Sequence, residues 1–216
     1  MKKEIILKKT ENFVKKALQQ ESTGHDWWHI ERVRNNAKLI NTKEKADAFI
    51  IELTVLLHDV GDRKVIKKDE DDYSIAENFL KKQKVEPEAI EQVMFIIKNM
   101  SFSKTLNNKK VNVSKEFEVV QDADRLDAIG AIGIARVFTF GGSRERPLYD
   151  PNQKAQITSS SSYKKSNTSN LHHFEEKLFL LTDLMNTKTA YKIAQKRNTY
   201  MKKYVEQFLA EWKGLK

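Results

Sequence analysis

The sequence contains no cysteine, and proline and glycine are scarce, with 3 and 7 residues among 216. The lack of cysteine excludes disulfide bonds and thiolate ligands to a metal. Long apolar runs are also missing near the start, where the first run in MKKEIILKKTENF is only Ile5–Leu7. This is far too short for the core of a signal peptide or for a membrane span. We therefore expect a cytoplasmic protein that forms one domain, residues 1–216, around one core.

Positive charge is in excess and is unevenly distributed. The formal net charge is +9, and residues 188–216 carry eight lysines and arginines against two glutamates. A solvated helix face in a basic protein explains this bias, and so does attraction to a partner that carries phosphate groups. Charge alone leaves both interpretations open.

Apolar residues recur at spacings of three and four along most of the chain, which is the pattern of amphipathic helices. Two of these series are Ile30, Val33, Ala37, Ile40 and Ile90, Val93, Met94, Ile97. The alternating pattern of β-strands is nearly absent. The sequence therefore predicts an all-α protein, a single-domain helical bundle.

One long segment has no such period. Residues 143–170, SRERPLYDPNQKAQITSSSSYKKSNTSN, follow Gly141 and Gly142 and contain few apolar side chains. A structureless loop of this length inside a compact domain is usually a lid or disordered. The serine run favours disorder, whereas Arg144 and Arg146 favour contact with phosphate. We expect a mobile loop that closes over a site, with the chemical motifs in residues 22–140 and further helices in residues 171–216.

Candidate metal ligands lie in three short motifs, GHDWWHIERV, LLHDVGDRK and QDADRLDAIGAIGIARVF, and a fourth motif, HHFEEKL, contains the remaining two histidines. We expect His29 in the first turn of a helix, with His25 one helical turn before it. His58 and Asp59 end a second helix, which is apolar, and Asp124 interrupts a third. Buried imidazoles and carboxylates are costly unless they are paired or bind a metal. A single such residue is more often a core group with a hydrogen-bond partner, but three apolar helices with such residues favour a divalent ion of the Mn, Fe, Co, Ni or Zn range.

In order and spacing these motifs resemble the H…HD…D pattern of the HD-domain metal-dependent phosphohydrolase superfamily. The four blocks together are similar to its small bacterial YpgQ/YedJ-like branch, and the resemblance runs from about Ser22 to the C-terminus. It implies a helical bundle with one divalent ion on His29, His58, Asp59 and Asp124. The expected ion is Mn²⁺, with Mg²⁺, Co²⁺, Ni²⁺, Fe²⁺ or Zn²⁺ as alternatives. No histidine lies between Asp59 and Asp124, which favours one metal over two.

The same resemblance implies hydrolysis of a nucleoside triphosphate to monophosphate and pyrophosphate. A 5′-nucleotidase or a guanosine tetraphosphate hydrolase is the alternative, although the latter group usually has Glu-Asp where this chain has Asp62-Arg63. A non-catalytic, metal-bound regulatory module that binds nucleic acid through the basic C-terminal segment is a third reading. No helix-turn-helix, RRM or KH motif supports it, so we expect a nucleotide partner, no nucleic acid, and leave a homodimer open.

Two carboxylates are candidates for acid/base work. Asp62 follows His58 by four residues and lies on the same side if the helix continues through Gly61. HD hydrolases that resemble this chain often have a catalytic carboxylate there, which orients or deprotonates water; otherwise Asp62 is a helix-end acid. Asp127 is either a second acid near the site or a partner of Arg125.

The remaining candidates are cations and imidazoles that could touch substrate phosphates: His25, Arg32, Lys64, Arg125, His173 and Lys177. Most lysines and arginines are simply solvated, and His25 would be equally natural as a cap or a surface residue. Trp27 and Trp28 are interpreted as core or hydrophobic-staple residues rather than as a stacking platform for a base.

Overall fold

The structure is a computed structural model that describes residues 2–19, 24–62, 66, 72–105, 113–154 and 168–215. Within these ranges the regular structure is helical and contains no β-strand, which confirms the all-α prediction. The chain divides into two compact units, Met1–Ala123 and Asp124–Lys216. The single domain predicted from the sequence stays a prediction.

The first unit is built around one central helix. Its helices are α1 (Lys2–Ala17), α2 (Trp27–Glu44), α3 (Ala48–Leu57), α4 (Ser74–Lys82), α5 (Pro87–Asn99), α6 (Phe102–Thr105) and most of α7 (Lys115–Asp127). Helix α3 packs against α1, α2 and α5. Seven of its ten residues are buried, as expected for a helix that is apolar on all sides. No described helix is both long and apolar enough to cross a membrane.

N-terminal caps start the two helices that contain the first two histidine motifs. Asp26 caps α2 by accepting a hydrogen bond from the His29 amide, and Asp47 caps α3 by accepting from the amides of Phe49 and Ile50. An aspartate at this position satisfies amide groups that the first helical turn leaves without partners. The caps therefore fix the residues at which α2 and α3 start.

Side chains join the helices of the first unit. The Arg34 Nε atom donates to both carboxylate oxygens of Glu52, at 2.7 and 3.1 Å, and so links α2 to α3. The rings of Phe13 and Phe79 stack with centroids 4.2 Å apart and link α1 to α4. Hydrophobic packing and this charge-assisted ion pair together hold α2 against α3.

The second unit comprises the end of α7, α8 (Gly130–Gly142), α9 (His172–Glu176), a 3₁₀ helix (Leu178–Thr182) and α10 (Lys188–Trp212). Helix α10 packs against α8 and the 3₁₀ helix. An aromatic cluster fills this unit, with Phe138, Tyr149, Phe174, Phe179, Tyr204, Phe208 and Trp212 in contact as neighbouring rings. Such contacts stabilise beyond the area they bury.

The segment predicted as a mobile loop has hydrogen-bonded ends. The amides of Asn170 and Leu171 donate to the carbonyls of Pro147 and Leu148, both at 3.0 Å, and Tyr149 packs on Trp212. Residues 143–154 and 168–170 therefore make backbone and aromatic contacts, and the mobile loop over residues 143–170 stays a prediction. Residues 155–167, which include the serine run, lie outside the described residues.

Candidate metal centre

His29 lies in the first turn of α2, as the sequence predicts, and its side chain is completely buried. The Asp26 cap accepts a hydrogen bond of 2.9 Å from the His29 amide, which fixes the backbone at this turn. The imidazole is thereby held inside the first unit.

His58 and Asp59 follow the last residue of α3, Leu57. The His58 Nδ1 atom lies 2.8 Å from the Val55 carbonyl oxygen. Because a carbonyl only accepts, Nδ1 carries the hydrogen, and in the neutral imidazole Nε2 holds the lone pair. A backbone carbonyl that binds one ring nitrogen and orients the other is typical of histidines that ligate metals.

Three side chains with donor atoms for a metal converge in this unit. The His29 Nε2 atom lies 3.2 Å from His58 Nε2 and 3.3 Å from Asp59 Oδ2, and His58 Nε2 lies 3.6 Å from Asp59 Oδ1. Two ligands at right angles, each about 2.1 Å from one ion, are about 3 Å apart. The spacing and the nitrogen and oxygen chemistry of this set therefore fit a divalent ion.

His25 completes the surroundings of Asp59. It precedes α2, whereas the sequence placed it one helical turn before His29, and its Nδ1 atom lies 2.9 Å from Asp59 Oδ2. Burial works to raise the pKa of the Asp59 carboxyl, but His58, His25 and His29 outweigh burial and hold that pKa well below its usual range. Asp59 is therefore a carboxylate, the form that binds a cation. His25, His29 and Asp59 are close enough together to share one ion.

Asp62 does not continue the helix. Helix α3 ends at Leu57, and Gly61 has a φ of +94°, a left-handed conformation that favours glycine. The Gly61 carbonyl accepts a hydrogen bond of 2.8 Å from the Asp72 amide. The chain therefore turns before Asp62, which is half-buried, and the four-residue helical spacing from His58 does not define where its carboxylate lies.

Asp124 lies in the last turn of α7 as the first residue of the second unit. Lys177 follows α9 and lies close enough to Asp124 for the two charges to interact. Burial lowers the pKa of the Lys177 ammonium, Asp124 works to raise it, and Arg136 and Arg125 lower it further. Asp124, Lys177, Arg125 and Arg136 thus form part of one charged cluster.

Asp127 and Arg125 are held by different partners among the contacts resolved here. The buried Asp127 carboxylate accepts a hydrogen bond of 2.7 Å from Arg136 Nη1, and Arg125 Nη1 donates to the Leu184 carbonyl. Arg136 is the residue that sequence reasoning missed. Its signal was available, because it is the only charged residue in the otherwise apolar stretch GAIGIARVFTFGG and a charge in such a helix needs a partner.

The other predicted substrate residues lie on different elements of the chain. Arg32 is half-buried on α2, three residues after His29, and His173 is half-buried in α9. Lys64 lies outside the described residues. Interpreting Trp28 as a core residue was wrong, since 66% of it is exposed, whereas Trp27 is half-buried beneath the Lys15 ammonium at 4.4 Å.

Comparison with known proteins places this arrangement in a family. No family model matches the chain. The chain is 40% identical over 205 residues to the uncharacterised protein YpgQ of Bacillus subtilis, across 94% of this chain and 92% of YpgQ. A solved HD-superfamily hydrolase from Bacillus thuringiensis is 40% identical, with a TM-score of 0.73 over 99% of each chain. The chain belongs to the HD-superfamily hydrolases.

A crystal structure of Bacillus subtilis YpgQ in complex with ADP also matches this HD hydrolase. The TM-score is 0.77 and the identity 37%, covering 98% of this chain and 96% of that one. The resemblance drawn from the sequence is thereby confirmed. Membership in this superfamily implies a divalent metal ion, and the donors of His29, His58 and Asp59 are suited to hold it.

Proposed function

We propose that this HD hydrolase is a nucleotide pyrophosphohydrolase that converts (deoxy)nucleoside triphosphates to monophosphate and pyrophosphate. The convergence of His29, His58 and Asp59, with donor atoms 3.2–3.6 Å apart, is the observation that supports it most. The complex of YpgQ with ADP supports a nucleotide as the ligand, because ADP contains the phosphoanhydride that such an enzyme cuts.

In this proposal His29, His58, Asp59 and Asp124 hold one divalent ion, with Mn²⁺ as the preferred metal. A bound ion of this kind lowers the pKa of a coordinated water and withdraws charge from a phosphoryl oxygen. His58 contributes Nε2, because its Nδ1 is engaged by the Val55 carbonyl. We assign Asp124 as the fourth ligand because of the family resemblance and because it lies in the last turn of α7.

Asp62 is assigned to the attacking water. A carboxylate within hydrogen-bond reach of that water can orient it and accept its proton. The left-handed turn at Gly61 releases Asp62 from the helix that ends beside His58, so the carboxylate can serve the water without being a metal ligand.

The cations are assigned to the phosphates. Lys177 lies close enough to Asp124 for their charges to interact, Arg125 follows Asp124 directly in the chain, and Arg32 lies one helical turn after His29. Positive side chains fixed beside a phosphoryl group neutralise the charge that spreads over its oxygens during transfer. That His25, Lys64 and His173 also contact the substrate stays a prediction. In the structure His25 contacts Asp59.

The test uses the purified full-length protein, stripped of metal with EDTA and then supplied with Mn²⁺, Mg²⁺, Co²⁺ or Ni²⁺. Ribo- and deoxynucleoside triphosphates, monophosphates and guanosine tetraphosphate are offered, and phosphate and pyrophosphate are detected separately. We expect equal amounts of monophosphate and pyrophosphate with Mn²⁺ and no turnover in EDTA. Release of phosphate alone identifies a nucleotidase. No turnover, together with salt-sensitive binding of DNA or RNA, identifies a non-catalytic module.

A further inference from the structure

The exposed face of α10, which belongs wholly to the second unit, is strongly basic. It presents four exposed lysines, Lys188, Lys192, Lys196 and Lys203. With 3.6 residues per turn these four lie within about 80° of one another around the helix, and they extend over about 22 Å along it. The opposite side of α10 contains its buried residues, Ala190, Ala194 and Met201. The lysines therefore form one continuous stripe on the surface, which we call the basic face.

No carboxylate offsets the charge of the basic face along the helix. Residues 184–205 contain no aspartate or glutamate. Within the ranges that the structure describes, none of the four lysine side chains forms an ion pair or a hydrogen bond. Lys188, Lys192 and Lys196 are spaced by four residues, and like charges at this spacing destabilise a helix. The basic face is therefore arranged against the stability of its own helix.

Other exposed lysines of this protein are arranged differently. In α1 the Lys15 ammonium lies 2.5 Å from the Glu11 carboxylate, and in α4 the Lys81 ammonium lies 2.6 Å from Glu77. Both pairs are four residues apart, a spacing at which opposite charges stabilise a helix. A surface that only keeps a protein in solution mixes the two signs of charge. A stripe of one sign along a helix is instead the electrostatic footprint of a polyanionic partner.

Two tyrosines flank the basic face. Tyr191 is 40% exposed and Tyr200 is 55% exposed, and the helical period places them on opposite edges of the lysine stripe. Tyr204 of the same helix packs against Phe174 in the aromatic cluster, whereas Tyr191 and Tyr200 contact no other ring among the described residues. Lysines that bind phosphates and exposed rings that stack on bases are the combination that holds single-stranded nucleic acid.

We infer that the basic face of α10 binds single-stranded nucleic acid, with the lysines on the phosphates and with Tyr191 and Tyr200 stacked on bases. A single strand is favoured over a duplex because a duplex keeps the faces of its bases inside the stack. The sequence predicts no nucleic-acid partner because helix-turn-helix, RRM and KH motifs are missing. Contact with phosphates and base faces needs no such motif, so this inference revises that expectation. It is independent of the metal centre and of the proposed hydrolysis.

The test measures binding of fluorescein-labelled oligo(U) and oligo(dT) to the full-length protein by fluorescence anisotropy. The salt concentration is varied from about 50 to 200 mM, because each neutralised phosphate of a single strand contributes about −0.7 to the slope of log affinity against log salt. Four lysines therefore predict a slope of up to about −2.8. Both oligonucleotides should bind, because neither contact reads the sequence.

The first variant replaces all four lysines of the basic face by glutamine, which retains a high helix propensity. We expect it to lower the affinity at about 50 mM salt by about 100-fold or more and to remove most of the salt dependence. The matched control removes the same charge from exposed lysines of the first unit by Lys9→Gln, Lys16→Gln, Lys43→Gln and Lys82→Gln. It should keep the salt slope of the parent protein.

The tyrosines are tested one at a time. Tyr191→Ala and Tyr200→Ala should each weaken binding by about 5- to 150-fold, the contribution of one stacked base. Tyr191→Phe and Tyr200→Phe keep the ring and should bind like the parent protein. If the alanine variants bind as well as the phenylalanine variants, the tyrosines do not stack on bases and this part of the inference is wrong.

Equal affinities and slopes in the two fourfold lysine variants overturn the inference, because net charge alone then explains binding. A parent protein that binds neither oligonucleotide at about 50 mM salt overturns it as well. Tighter binding to duplex DNA contradicts the assignment to a single strand, and tighter binding to phosphatidylserine vesicles assigns the face to a membrane instead.

Circular dichroism verifies that each variant folds, and Lys192→Gln with Lys196→Gln replaces the fourfold variant if that variant does not fold. Nucleotide turnover is measured in parallel and should be the same in the parent and in the variants of the basic face. A protein without turnover that binds oligonucleotides through this face refutes the proposed function and supports the inference. Full turnover without oligonucleotide binding does the reverse.

Discussion

The two units of this protein bury polar side chains in different ways. In the first unit the Nε2 atoms of His29 and His58 and the carboxylate oxygens of Asp59 converge at distances of 3.2–3.6 Å. In the second unit Arg136 and Asp127 satisfy each other as donor and acceptor. Buried polar groups that pair are already satisfied, whereas acceptors that converge require a cation or protons between them. The donor atoms of the first cluster therefore suit a divalent cation.

The charges around the two clusters also differ, as the pKa values of Asp59 and Lys177 show. Three imidazoles hold the pKa of Asp59 well below its usual range against the effect of burial, so this carboxylate stays charged. Around Lys177, burial and two arginines lower the pKa while Asp124 alone works against them.

The strongest test of this contrast is removal of a donor from the first cluster. His58→Ala should lose bound metal and reduce turnover to background, because the remaining donors no longer enclose the ion. Metal content per protein, turnover and circular dichroism are the measurements. His172→Ala, which removes another imidazole from the second unit, should keep its metal. A His58→Ala protein with full metal content and turnover would contradict the assignment of the first cluster.

Asp62 separates catalysis from metal binding. Asp62→Asn should keep its metal but lose about 10²–10⁴-fold in kcat, the usual contribution of a general acid or base. KM should change little if it reports binding. Loss of metal as complete as in His58→Ala would make Asp62 a ligand or its direct support, and full activity would make it a turn acid.

His25 tests how firmly Asp59 is held. His25→Ala removes the contact of 2.9 Å to Asp59 Oδ2, and loss of such a supporting hydrogen bond typically lowers metal affinity about 10- to 100-fold. Titration with Mn²⁺, followed by calorimetry, gives the affinity, and we expect turnover to recover at saturating Mn²⁺. The nearby Trp28→Ala, at a side chain that is 66% exposed, should leave the affinity unchanged. Equal affinity in His25→Ala would show that Asp59 needs no such support.

The smallest expected effect concerns the turn that brings the second cluster together. Gly133→Ala places a Cβ atom 2.3 Å from the Ala128 carbonyl oxygen, and we expect this overpacking to cost about 1–3 kcal/mol in free energy of unfolding. Gly142→Ala on the same helix meets nothing within 4 Å and should be neutral or stabilise by about 0.5–1 kcal/mol. Urea denaturation of both variants measures the difference. A Gly133→Ala protein as stable as Gly142→Ala would mean that the turn is not tightly packed.

The sequence supplied most of the helices and the first cluster. The spacing of apolar residues is a local property, and α2, α3 and α5 follow it closely. His29, His58 and Asp59 were found because imidazoles and carboxylates beside apolar helices are costly without a partner or a metal. Arg136 could have been found by the same argument, since it is the only charge in its helix.

Other features depend on contacts between residues far apart in the chain, which a single sequence does not predict. The contact between His25 and Asp59 spans 34 residues and depends on how the start of α2 lies against the end of α3. The left-handed Gly61 ends the helical spacing on which the position of Asp62 was argued. Periodicity predicts which face of a helix is apolar, whereas packing decides which side chains meet. By itself the sequence therefore determined the helical class and the metal-type residues, and only the tertiary structure decided that His25 supports Asp59 and that Arg136 pairs with Asp127.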